Sequence, residues 1–363
     1  MNVHELPLIA FTILAQMCVG AFVVLGIIQL IGPRLFTNDV ADEHAHGHPS
    51  PRPGDSTRPQ GGQACDHDAT EGARVNAQPG PIARLLERFH LNRAPAETAV
   101  DRLTDPVLFA IGPVLVLGLL GSMLHLGNPF NALNTFRHLG SSWLSREILG
   151  GCAFAGLGFV FAVSQWFKWG SSALRRILAL ATAVVGLILV WVMAMVYASL
   201  PTVPAWHLWT TPATFYVTTF LLGCLAVGAA LMTVTMWERK HGVDISAGTG
   251  SALTRILQAI AVAAAGLAIV QVVLLVLQLT TMAADPSMPR ESSQALFTTF
   301  FLMRLILLIV GACLLGFFLF QAVSQRRSWT TIASVATLAF VIVLASEVMG
   351  RSLFYDTMVR IGM

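Results

Sequence analysis

The chain has 363 residues, of which 55% are hydrophobic and only 11% charged, with a net charge of +3. Soluble domains carry roughly a quarter charged residues, so this composition excludes an ordinary soluble enzyme and points to an all-α integral membrane protein. A β-barrel is excluded as well, because its strands give short segments of about ten alternating residues and the apolar runs here are long.

Eight runs reach the length of about 20 residues that a helix needs to cross a bilayer. They lie near 8–31, 107–126, 148–167, 177–199, 213–236, 255–282, 296–321 and 330–350. The first has no Lys or Arg before it and no small-residue cleavage site after it, so it reads as an anchor helix, not a signal peptide. The expected organisation is a first transmembrane helix in 1–36, a cytoplasmic insert in 37–106 and a seven-helix remainder in 107–363.

The insert has a different composition. "HAHGHPSPRPGDSTRPQGGQACDHD" is rich in Pro, Gly, Ser and His and poor in large apolar residues, a mixture that cannot bury a core and reads as disordered. His44, His46, His48, Cys65, His67 and Asp68 are potential metal ligands, but their loose spacing favours a solvated linker over a specific metal site. "PIARLLERFHLNR" (81–93) reads as a basic amphipathic helix lying on anionic lipid. No CxxC pair occurs among the five cysteines, so no iron–sulfur or zinc site is expected in this chain. No metal site and no nucleic-acid partner are expected.

Cationic residues set the orientation. The segment 32–106 carries eight Arg; Lys168, Arg175 and Arg176 follow the third run, Arg239, Lys240 and Arg255 flank the fifth loop, and Arg326 and Arg327 follow the seventh run. The opposite side holds only Arg137, Arg146, Arg290, Arg351 and Arg360. The positive-inside rule therefore makes the odd-numbered loops cytoplasmic and places both termini outside.

That orientation gathers chemistry at one face. His125, in "GSMLHLGNPF", ends the second run on the outer side, and Glu147, in "LSREILGG", opens the third. Each has a plain explanation: an interfacial His solvated by headgroups, and a first-turn acid favoured by the helix dipole. The loop "PTVPAWHLWTTP" brings Trp206 and Trp209, as in an interfacial aromatic belt. The last run ends in "ASEVMGRSLFYD", carrying Glu347, Arg351 and Tyr355 to the same face; Glu347 and Arg351 have the i, i+4 spacing of a surface ion pair. Arg304 lies inside the seventh run and needs a partner, Glu347 being nearest by depth.

A neutral His and a carboxylate at one interface, beside aromatic rings, suit a hydroquinone. Oxidation of a quinol, menaquinol or ubiquinol, releases two electrons and two protons, and each proton needs an acceptor near a ring oxygen. Haem b is not expected, since of the ten His only His125 lies near helix depth. A transporter would show broken helices and polar groups at the midplane, which the sequence lacks apart from Arg304. A passive anchor without a quinol site stays open.

Several stretches in order resemble the membrane anchor subunit of the dimethyl sulfoxide reductase family of molybdoenzymes. They are "HELPLIAFTILAQ", "SMLHLGNPFNALNTFRHLGSSWLSREI", "VWVMAMVYASLPTVPAWHLWTTP", "MRLILLI" and "ASEVMGRSLFYDTM". The resemblance implies eight helices with both termini in the periplasm of a bacterial inner membrane. It also implies two partners on the outer face, a four-cluster iron–sulfur subunit and a molybdopterin catalytic subunit. Quinol oxidation without haem is implied as well, with His125 and Glu147 at the quinol. Arg351 and Tyr355, carried to the same face by the last run, are expected beside it. Related anchors serve enzymes acting on sulfite, tetrathionate or thiosulfate, where electrons can run the other way and reduce quinone. The long insert departs from the short first loop of the family.

Overall fold

A computed structural model describes residues 6–46, 95–125, 137–241, 247–296, 298–324 and 329–361. Among them the chain is all helix: α1 (Leu6–His46), α2 (Pro95–His125), α3 (Trp143–Trp166), α4 (Ser172–Ala198), α5 (Thr210–Lys240), α6 (Ala247–Ala284), the short α7 (Arg290–Leu296), α8 (Thr299–Ser324) and α9 (Trp329–Asp356). Among the described residues seven helices are long and apolar enough to cross a membrane, and α8 contributes a shorter apolar stretch, Thr299–Leu315.

The first helix is apolar all round and occupies the centre, with 78% of an 18-residue apolar stretch within Leu6–Ile31 buried. A helix without a polar face must be enclosed by its neighbours. It crosses α5 at a pair of glycines. A Cβ on Gly20 would strike the Thr219 carbonyl, and one on Gly223 would strike the backbone of Gly20. With lipid as apolar as the side chains, helices associate by close packing, and small residues permit it.

Ser142 caps α3 by accepting from the Ser145 amide at 3.3 Å, and Ser171 caps α4 by accepting from Leu174 at 3.2 Å. The turn between them uses left-handed backbone at Lys168 and Gly170. Short connections make α3, α4 and α5 successive antiparallel neighbours. As a result the start of α1, the start of α3, the end of α4, the start of α5 and the end of α9 meet at one end of the bundle.

Several expectations need correction. α1 stays helical through His46 and α2 begins at Pro95, so helix invades both edges of the segment expected to be linker. The physical reason lies in the residues: "TNDVADEHAH" contains no proline, and Pro95 is a favoured opening residue for a helix. The 81–93 helix and the His/Cys/Asp group of the insert lie outside the residues whose side chains are described. Among the described residues no group of three potential metal ligands occurs. Trp206 is buried rather than interfacial, while Trp209 is exposed as a belt residue should be.

Candidate functional site

The last two and a half turns of α9 build the site. Glu347, Arg351 and Tyr355 recur every four residues, which puts them on one stripe of a helix, and all three are buried. The expectation of a surface ion pair between Glu347 and Arg351 is therefore wrong. The stripe faces the bundle interior because the opposite side of α9 carries the lipid-facing Leu338 and Val341.

At the end of the bundle the Tyr355 hydroxyl lies 3.0 Å from the Tyr197 hydroxyl of α4, and the Thr12 hydroxyl of α1 adjoins it. Glu147 lies near both phenols. It is not an ordinary first-turn acid. It sits in the second turn of α3, is buried, and its Oε1 has no hydrogen-bond partner within the described protein. Burying a carboxyl oxygen without a partner is costly, and such groups inside membranes are a mark of function. An aromatic wall closes this end: Trp206 stacks on Phe354 at 5.4 Å and donates from Nε1 to the Phe354 carbonyl at 2.7 Å.

One turn deeper, Arg351 donates from Nη2 to Gln16 Oε1 at 3.0 Å, and its guanidinium lies 3.8 Å from the Phe215 ring centroid. A further turn down, Glu347 accepts from Thr218 Oγ1 at 2.7 Å and from Gln271 Nε2 at 3.5 Å. Arg304 lines the same small cavity of about 30 Å³ as Glu347, Gln271 and Arg351. It packs on Gly350, where any Cβ would strike the guanidinium. The expected Arg304–Glu347 neighbourhood is thus present, and a cavity of this size has room for water rather than a ring.

The structure brings Glu147, Arg351 and Tyr355 together. His125 closes α2; its side chain lies outside the described residues. Tyr197, Thr12 and Gln16 join the site without having been expected there. A signal for them exists in the sequence: Tyr197 is one of three tyrosines in the chain, and Thr12 and Gln16 interrupt an otherwise apolar run. Chemically, a carboxyl, a phenol pair and a guanidinium at a helix-bundle end can hydrogen-bond a two-oxygen ring and take up its protons.

The family described as DMSO reductase anchor subunit (DmsC) matches residues 99–357. An anaerobic dimethyl sulfoxide reductase polypeptide of Escherichia coli (strain K12) is 32% identical over 258 residues, covering 70% of this chain and 82% of that protein. A second anaerobic dimethyl sulfoxide reductase polypeptide of the same organism, YnfH, is 28% identical over 258 residues with the same coverage. A sulfite dehydrogenase subunit of Allochromatium vinosum is 34% identical over 128 residues, covering 32% of this chain and 38% of that one. A family match across most of the chain and a set of apolar helices that suits a multi-pass membrane protein agree, and the chain belongs to the dimethyl sulfoxide reductase anchor subunit family.

Proposed function

We propose that this chain is the quinol-oxidising anchor of a three-subunit molybdoenzyme in a bacterial inner membrane. Eight helices cross the bilayer with both termini outside; the cationic loops support that orientation. The observation that carries the quinol reading is the buried Glu147 carboxyl, one oxygen unpartnered, beside the Tyr197–Tyr355 pair. It lies at the bundle end where α2 finishes at His125.

In this reading a hydroquinone docks with its ring oxygens toward His125 and Glu147. Its oxidation yields quinone, two protons and two electrons. His125 accepts one proton and Glu147 takes or orients the other, after which both pass to outer water. Arg351 and Tyr355 fix the Glu147 end of the ring. The electrons leave to an iron–sulfur subunit with four clusters, and from there to a molybdopterin subunit, both seated on the outer face. This chain supplies no redox group of its own. The quinol is menaquinol or ubiquinol.

The test is the Glu147→Gln variant of the assembled complex. Quinol oxidation should fall at least about tenfold, while turnover with an artificial donor to the partner subunits stays at the wild-type rate. Equal quinol oxidation in variant and wild type would remove Glu147 from the site. A second reading is favoured by the likeness to a sulfite dehydrogenase subunit: the same site would then reduce quinone, the electrons arriving from the partner. Quinone reduction driven by sulfite in the purified complex would select it.

A further inference from the structure

The hydroxyls of Thr12, Tyr355 and Tyr197 form a hydrogen-bonded row from α1 through α9 to α4, and all three residues are buried. Counting donors fixes where its hydrogens lie. Thr12 Oγ1 is 3.0 Å from the Leu8 carbonyl oxygen and 3.1 Å from that of Ile9. A carbonyl oxygen only accepts, and two oxygens in such contact need a hydrogen between them. The single hydroxyl hydrogen of Thr12 is therefore committed to its own helix, and toward Tyr355 its oxygen can only accept. Tyr355 must then donate to Thr12. That spends the Tyr355 hydrogen, so the 3.0 Å contact between the two phenols is a bond donated by Tyr197.

The rings are fixed by their neighbours. Tyr197 meets Trp206 edge to face at 5.2 Å and Phe354 at 5.3 Å, and Tyr355 meets Trp206 at 6.3 Å. Hydrogen bonds between buried groups are stronger than in water, and breaking one there is costly. The row thus has one polarity, from Tyr197 to Tyr355 to Thr12 to the α1 carbonyls. A phenol carries one donor hydrogen, and both are used inside the row. Toward a ligand the pair offers only lone pairs. Glu147, near both phenols, also only accepts when ionised.

We propose that the Tyr197–Tyr355 pair selects the redox state of the ligand, binding the hydroxyl of a quinol in preference to the carbonyl of a quinone. The inference rests on the quinol reading. A quinol hydroxyl brings the hydrogen that these acceptors need. A quinone carbonyl brings another acceptor, and a buried oxygen facing only acceptors loses the hydrogen bonds it had in water. The Arg351 guanidinium does not discriminate, because it donates to a hydroxyl oxygen and to a carbonyl oxygen alike. After oxidation the proton on Glu147 can still bond the new carbonyl. Once that proton moves on to outer water, the carbonyl at this end meets the lone pairs of the pair, which favours release of quinone. Tyr355 touches the ring; Thr12 is a positioning residue that acts through it.

The test is isothermal titration calorimetry on the assembled complex with two decyl-tailed pairs, a naphthoquinol with its naphthoquinone and a benzoquinol with its benzoquinone. Quinols are titrated into the reduced complex and quinones into the oxidised one, so that neither turns over. In wild type the quinol Kd should be about tenfold below that of its quinone. Tyr355→Phe removes the acceptor and frees the Tyr197 hydrogen, and Thr12→Val frees that of Tyr355. In both variants the preference should vanish or invert. Tyr197→Phe leaves Tyr355 donating to Thr12 and should keep the preference, as should Thr12→Ser, which retains the hydroxyl. Artificial-donor turnover reports the assembly of each variant. Equal Kd values for quinol and quinone in wild type would overturn the proposal. So would an equal shift in Tyr197→Phe and Tyr355→Phe, as a pair that only packs would give, or the wild-type preference in assembled Thr12→Val. Binding of none of the four compounds to wild type would instead refute the quinol reading itself.

Discussion

At the scale of single residues, Glu347 shows how the bundle tolerates a buried carboxyl. Its Oε2 accepts from Thr218 at 2.7 Å, and the charges facing it are Arg304 from α8 and Arg351 from its own helix. Thr218→Val keeps the shape and removes the nearer donor, so the buried oxygen keeps only the long 3.5 Å bond from Gln271. The expected cost is about 1–3 kcal/mol, read as a lower unfolding temperature of the detergent-solubilised complex with quinol KM unchanged; a wild-type unfolding temperature would show that the bond contributes nothing. Residue types at this face were legible in the sequence, because ionisable groups in apolar runs are few. Their partners were not. Nothing in "FTILAQ" says that Gln16 will meet Arg351, a contact between residues 335 positions apart.

At the scale of elements, hydropathy located the long helices among the described residues, since a run of about 20 apolar residues has few alternatives in lipid. Ends were harder. α9 continues through Asp356, beyond the expected 350, because "RSLFYD" packs inward with Arg351, Leu353, Phe354 and Tyr355 all buried; its polar residues look like a surface only in one dimension. The opposite error occurred at Trp206, where a belt residue proved to be a core ring. The α1–α5 crossing was not legible either, because Gly20 and Gly223 have no sequence signal that pairs them. Gly223→Leu should push α1 from the bundle centre and abolish accumulation of the protein in membranes, measured by quantitative immunoblot. Gly266→Leu, at an exposed glycine with open space around it, should accumulate normally. Equal accumulation of both variants would mean that the close crossing is dispensable.

At the scale of the whole molecule, the fold is an arrangement for bringing five helix ends to one face. Hydrogen bonds there join distant parts of the chain, including the Ile361 amide to the Thr202 carbonyl at 2.9 Å. Tyr355 and Tyr197 join α9 to α4, and Thr12 brings in α1. The deeper polar stripe, Arg351 and Glu347, is tied in turn to α1, α5 and α6. The measurement that tests this account most directly is quinol oxidation by the His125→Ala complex, with artificial-donor turnover and binding of a quinol-site inhibitor followed on the same sample. The account predicts normal assembly, wild-type artificial-donor turnover, lost inhibitor binding and a fall in quinol oxidation larger than that of Glu147→Gln. Wild-type quinol oxidation in that variant would contradict it and move the quinol chemistry away from this face.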